Sequence, residues 1–168
     1  YGLALYENMP LMEPQETREV YRVEDFVIVI DTSMSCSGEL VRRFLEETYS
    51  ILSGEESFFR RIHLHVIQCD EKVRQDALLK SPEEFRNFME EFRLTGGGGT
   101  DFRPAFEYVE QLRRAGEFRK LRGLIYFTDG KGIYPVQAPA FETVFVFIRD
   151  QYQDEAVPAW AMKVIFEP

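Results

Sequence analysis

Carboxylates and hydroxyls gather at a few places in this chain where the local pattern turns from apolar to polar. The densest group is Asp31-Thr32-Ser33-Met34-Ser35, with Asp31, Ser33 and Ser35 at alternate positions. One carboxylate and two hydroxyls offer only hard oxygen donors, which favours Mg2+, Ca2+ or Mn2+ over Zn2+. Thr100 and Asp101 follow the glycine run Gly96 to Gly99, and Asp129 sits in Thr128-Asp129-Gly130. Each group also has a simpler reading. Asp31 and its serines could cap the next helix, and Asp129 could belong to an ordinary Asp-Gly turn. A different chemistry is offered by His63 and His65, which alternate with apolar residues and therefore share one face of a strand. Such a pair can chelate zinc or copper. No third ligand stands near them in sequence, so the expectation is two partly buried imidazoles with hydrogen-bond partners.

The elements that must position these groups are legible in the apolar pattern. Val27 to Ile30 is a run of β-branched residues, the mark of a strand buried on both faces of a parallel sheet. It ends at Asp31, and ligands of open α/β sheets bind at the carboxyl ends of the strands. Val20 to Val23 and Phe26 to Ile30 are assigned to this first strand. Gly38 to Ser53 carries Val41, Phe44, Leu45, Thr48 and Leu52 at helical spacing, with Ser37 as N-cap and Glu39 in the first turn. Arg61 to Cys69 predicts a strand ending at Asp70, and Lys72-Val73-Arg74 a short antiparallel edge strand.

Ser81-Pro82-Glu83-Glu84 is a helix start with a capping box, followed by the stripe Phe85, Phe88, Met89 and Phe92. The glycine run delivers Thr100 and Asp101 to another helix, whose buried face is Phe102, Ala105, Phe106, Val109 and Leu112 and whose stop is Gly116. This run does not fit a phosphate loop, because no Gly-Lys-Ser/Thr follows it. Leu121 to Phe127, Thr143 to Ile148 and Ala161 to Phe166 predict three more strands, and residues 131–141 an irregular connection. The sum is an α/β fold: a mostly parallel central sheet of about six strands, helices on both faces, and one antiparallel edge strand.

Composition narrows the function classes. The 168 residues are 45% hydrophobic and 14% aromatic, enough for one packed domain. A net charge of −9 argues against nucleic acid and anionic membranes, and suits a cation or a basic partner. Cys36 and Cys69 do not make a disulfide framework, and reduced thiols in a cytoplasmic protein are the expectation. No apolar run approaches the ~20 residues of a membrane span. Residues 1–19 read as a lead-in arm or linker remnant and residues 20–168 as the domain, a C-terminal piece of something longer.

Asp31-x-Ser33-x-Ser35, Thr100 after its glycines and Asp129 in Thr-Asp-Gly, in that order, resemble the metal-ion-dependent adhesion site of the von Willebrand factor type A (VWA) fold. The resemblance covers roughly residues 20–168. The wording Gly-Gly-Gly-Gly-Thr-Asp-Phe-Arg-Pro with Thr-Asp-Gly-Lys-Gly-Ile-Tyr-Pro is similar to the bacterial VWA-like domains found at the C-terminus of metallopeptidase-like proteins. It implies a Rossmann-like architecture and a Mg2+ site, with Mn2+ or Ca2+ as alternatives. The hydroxyls of Ser33, Ser35 and Thr100 would contact the metal. Asp31 and Asp129 would act directly or through water, with Asp101, Gly99 and Gly130 behind them. The open coordination position would take an Asp or Glu carboxylate from a partner protein, and a MoxR-type AAA+ ATPase or its substrate is the partner class implied. Met34 replaces a glycine usual in the broader fold, and Cys36 is expected to be an inert thiol. A non-enzymatic interaction module is thus the leading expectation. The alternatives are a Mg2+-dependent hydrolase or phosphatase using Asp31, with Asp101 as the ready second acid, and a scaffold with a relic site.

Overall fold

β1 (Glu24–Asp31) is the strand next to which everything else is laid, and its Val27, Ile28, Val29 and Ile30 are completely buried. Side chains alternate across a strand, so four consecutive buried residues require a covered layer on each side. The computed structural model describes residues 24–33, 38–52, 62–148 and 152–167. The lead-in arm, the Val20 to Val23 part of the first strand, Met34, Ser35, Cys36 and the Ser37 cap lie outside these described residues.

The remaining elements are α1 (Gly38–Leu52), β2 (Ile62–Cys69), β3 (Val73–Leu79), α2 (Pro82–Glu90), α3 (Arg103–Arg114), β4 (Leu121–Thr128), β5 (Glu142–Ile148) and β6 (Met162–Phe166). They form a six-stranded sheet in the order β3-β2-β1-β4-β5-β6, with β3 antiparallel and the other pairings parallel. This is the mixed sheet that the alternation of strands and helices predicted. One core packs Ile28 and Ile30 with Val41, Phe44 and Leu45 of α1 and Phe85 of α2. The opposite core packs Val27, Val29 and Ile67 with Ala105, Phe106 and Val109 of α3.

Local signals placed the helices well. Ser81 Oγ accepts the Glu84 N–H at 3.1 Å, as a capping serine should. The reciprocal half of the box is displaced by one residue, since Glu84 Oε1 accepts the N–H of Lys80 rather than that of Ser81. The edge strand is longer than its three-residue sequence signal. Its polar stretch concealed it, because Arg74, Gln75 and Asp76 are satisfied by Asp70, Gln68 and His65 of the neighbouring β2 segment. Those partners are brought alongside only when the sheet forms.

Candidate functional site

At the carboxyl end of the sheet, Asp31 is buried with both carboxylate oxygens engaged. Oδ1 accepts the Ser33 N–H at 2.9 Å, and Oδ2 accepts the Thr128 hydroxyl at 2.5 Å. Thr128 ends β4, which pairs directly with β1, so this bond ties the tips of adjacent strands. The Thr128 hydroxyl also accepts the Gly130 N–H at 3.1 Å, turning the chain sharply at Asp129. Gly130 has φ +85°, a conformation that glycine adopts without cost, and Asp129 is buried. Asp129 Oδ1 accepts the Lys131 N–H at 3.0 Å, while its carbonyl accepts the Gln153 N–H at 2.8 Å.

Thr100 reaches this corner by a second route. Asp101 bridges Ile133 in parallel fashion, and the Phe102 N–H donates to the Ile133 carbonyl at 3.0 Å. The Thr100 methyl consequently lies against the turn that follows Asp129; a Cβ added at Gly132 would stand 2.7 Å from Thr100 Cγ2. The structure places Asp31, Ser33 and Asp129 at one corner of the sheet and the Thr100 methyl against the turn that follows Asp129. Ser35, the fifth ligand the sequence proposes, lies outside the described residues. Of the supporting positions, Gly130 makes the turn and Gly99 is exposed in the glycine loop. Asp101 is committed elsewhere: it forms a two-pronged pair with Arg103 at 3.0 and 2.8 Å and accepts the Arg103 N–H at the start of α3. The Arg103 guanidinium holds the Asp101 carboxyl below its usual range, which makes it a poor proton donor.

Three residues that the sequence reading left aside hold this end together. Asp70 accepts from Lys72 N, Arg74 Nε and Gly98 N at 2.8 to 3.0 Å, pinning the glycine loop to the end of β2. Burial opposes its ionisation, but these donors outweigh it and bring the Asp70 carboxyl down to about 2. Gln68 accepts the Thr95 N–H at 2.8 Å, and Thr128 supplies the hydroxyl on Asp31. Asp70 carried a signal of its own, for it too is an acid at the end of an apolar strand, as Asp31 and Asp129 are. Cys69, next to it, is buried and unpaired by any disulfide, and burial pushes its thiol up to about 12. It is inert as a nucleophile at neutral pH.

The donor set fits a hard divalent cation. Burial, and then the like charge of Asp129, push the Asp31 carboxyl above its usual range despite its hydrogen bonds. Among the described residues neither Asp31 nor Asp129 is paired with a lysine, arginine or histidine. Two buried acids of one sign, with hydroxyls between them, are the arrangement a divalent ion would relieve.

Comparison with known proteins agrees with this fold. The family model for the VWA-like domain (DUF2201) matches residues 26–167, so the chain belongs to that family. A Thermotoga maritima protein of uncharacterized function is 27% identical over 129 residues, spanning 76% of this chain. That alignment covers only 27% of the relative's length, so the chain corresponds to about a quarter of it. Among solved structures, proximal thread matrix protein 1 from the mussel byssus superposes with a TM-score of 0.67 at 14% identity, covering 85% of this chain and 42% of the other. Another structure of that mussel protein, with a zinc-occupied adhesion motif, gives a TM-score of 0.65 at 14% identity over 86% of this chain and 43% of that one. A von Willebrand factor type A protein from Catenulispora acidiphila gives 0.60 at 17% identity, over 86% and 38%. At such identities the likeness concerns the fold. No helix among the described residues is long and apolar enough to cross a membrane.

Proposed function

We infer that the carboxyl-end cluster is a metal-ion-dependent adhesion site through which this domain binds an acidic group of a partner protein. The observation that carries the reading is the buried pair Asp31 and Asp129, of like charge, joined through Thr128 and without a basic partner among the described residues. Ser33, Ser35 and Thr100 would offer hydroxyls to a Mg2+-type ion, Mn2+ and Ca2+ being the alternatives, with Asp31 and Asp129 acting directly or through water. Such an ion keeps positions open to an outside carboxylate, because the protein supplies few charged ligands. The mussel relative with zinc in its adhesion motif supports the idea that this fold holds a cation there. This chain's own residues do the positioning: Thr128 orients Asp31, the Gly130 turn presents Asp129, and Asp70 holds the loop that carries Thr100.

A binding module is favoured over a hydrolase because Asp101, the second acid a hydrolase would call upon, is held ionised by Arg103. The partner class we would test first is a MoxR-type AAA+ ATPase or its substrate, in the cytoplasm. The direct test is a Mn2+ titration followed by NMR line broadening, in wild type and in Asp129→Ala. Broadening confined to Ser33, Thr100 and their neighbours, and lost in the variant, is the expected result. Broadening that is absent, or unchanged in Asp129→Ala, would mean a scaffold with a relic site.

A further inference from the structure

The opposite end of the sheet carries a second cluster whose chemistry is different. His63 and His65 occupy the α3 side of β2, close to its amino end. Their register places Asp25 of β1 directly beside His63, and Asp76 of β3 diagonally across from His65, whose Cα partner is Leu78. His65 Nδ1 lies 2.8 Å from Asp76 Oδ1, and His63 Nδ1 lies 3.0 Å from Asp25 Oδ1, the latter out of line for a full hydrogen bond. His65 is thereby hydrogen-bonded to a carboxylate at Nδ1, and His63 has one within ion-pair distance. The other nitrogens converge on a single atom, Glu117 Oε2, at 2.8 Å from His65 Nε2 and 3.4 Å from His63 Nε2.

Glu117 is far from the histidines in sequence, and a helix terminus delivers it. The Glu117 N–H bonds to the Leu112 carbonyl at 3.0 Å, and the Gly116 N–H to the Arg113 carbonyl at 3.2 Å. With Gly116 at φ +83°, this is a Schellman stop, which fixes the backbone of the residue after the glycine. Phe118 then packs edge-on against both imidazoles, at 6.1 and 5.4 Å between ring centres. The carboxylates are themselves held. Asp76 Oδ2 accepts the Tyr108 hydroxyl at 2.5 Å, and Asp25 Oδ2 accepts the Lys120 N–H at 2.9 Å.

We propose that His63, His65 and Glu117 form a transition-metal site, for Zn2+ first, at the amino end of the sheet. The three donor groups can bring one atom each to within 4.8 Å of one another. In a tetrahedral zinc site with bonds of about 2.0–2.1 Å, the donors stand about 3.3 Å apart. The two separations to Glu117, 3.4 and 2.8 Å, bracket that value. A carboxylate on the far nitrogen of a ligating histidine is the arrangement that fixes its tautomer and raises its basicity. Charge favours a cation as well, because three carboxylates, Asp25, Asp76 and Glu117, surround the two imidazoles. Exposure is graded suitably: the side chain of His65 is 4% exposed and that of Glu117 30%, so the metal and a fourth, water ligand have an approach from the Glu117 side. This nitrogen-containing donor set is softer than the all-oxygen set at the carboxyl end, so the two ends should prefer different metals.

The test is calorimetric titration of Zn2+ into the full chain after chelator treatment, with the histidine ring resonances followed in parallel. His63→Ala and Glu117→Gln are the diagnostic variants, because both positions are partly exposed and a change at the buried His65 could prevent folding. Asp129→Ala separates this site from the carboxyl-end cluster. One Zn2+ bound by wild type and Asp129→Ala, shifts of both histidine rings, and at least a tenfold loss of affinity in His63→Ala and Glu117→Gln are expected. No binding by wild type, a smaller loss in those two variants, or binding lost in Asp129→Ala alone would overturn the proposal.

Discussion

The two ends of the sheet solve the problem of placing charged groups in opposite ways. At the carboxyl end, acids on strand tips are organised by turns: Thr128, Gly130 and the glycine loop over Asp70 supply the bonds that aim them. At the amino end, Asp25, His63, His65 and Asp76 stand on regular strands, and pairing register aligns them before any loop takes part. Of the three proposed ligands, Glu117 is the one that arrives from outside the sheet. A site built on turns depends on a few backbone conformations and buried hydrogen bonds, whereas one built on strands inherits the rigidity of the core. The first should be the more easily broken by single substitutions.

The largest expected effect is at Gly130. Its φ is left-handed, and an added Cβ would collide with the Gln153 carbonyl, beside the bond that Gln153 makes to Asp129. Gly130→Ala should cost about 3 kcal/mol in urea unfolding, combining backbone strain with overpacking. Zn2+ binding at the amino end should survive in the folded fraction. Loss of both sites together would break the contrast between the two ends.

Asp70 comes next, and it carries a pH signature. Its carboxyl is lowered to about 2 in the folded state against an ordinary 3.8, so the native state favours the ionised form. The resulting stability is present above about 3.8 and is lost as pH falls through about 2. Asp70→Asn should therefore lower stability by about 2 kcal/mol at pH 7, measured by urea unfolding. The gap to wild type should close between about pH 4 and pH 2, and a gap independent of pH would show that charge is not what Asp70 contributes.

The smallest effects sharpen the comparison through two buried threonines. The Thr128 hydroxyl serves both Asp31 and Gly130, so Thr128→Val should cost about 1 kcal/mol by removing those bonds. Thr143, near the amino end of β5, has a buried hydroxyl with no hydrogen-bond partner among the described residues. Thr143→Val should be neutral or stabilise by less than about 1 kcal/mol, since no bond is lost and valine suits a strand. Equal costs in thermal or urea unfolding would contradict the picture of an end held by hydroxyl bonds.

Much of the protein was determined by its sequence alone. Apolar runs and periodicity specify the strands and helices because burial is decided by side chains a few residues apart, and Ser81 and Gly116 mark helix ends through local backbone chemistry. Asp31, Ser33 and Asp129 stand out in the sequence because they follow the ends of apolar segments, and Thr100 because it follows the glycine run. Tertiary structure decided the rest. Asp76 and Glu117 carry no local signal: pairing of β3 with β2 sets the first against His65, and docking of α3 on the sheet brings the second to both histidines. Their partners are separated by tens of residues, and no local preference encodes such meetings. Only closing the sheet and packing α3 upon it brings those charges close enough to act on one another.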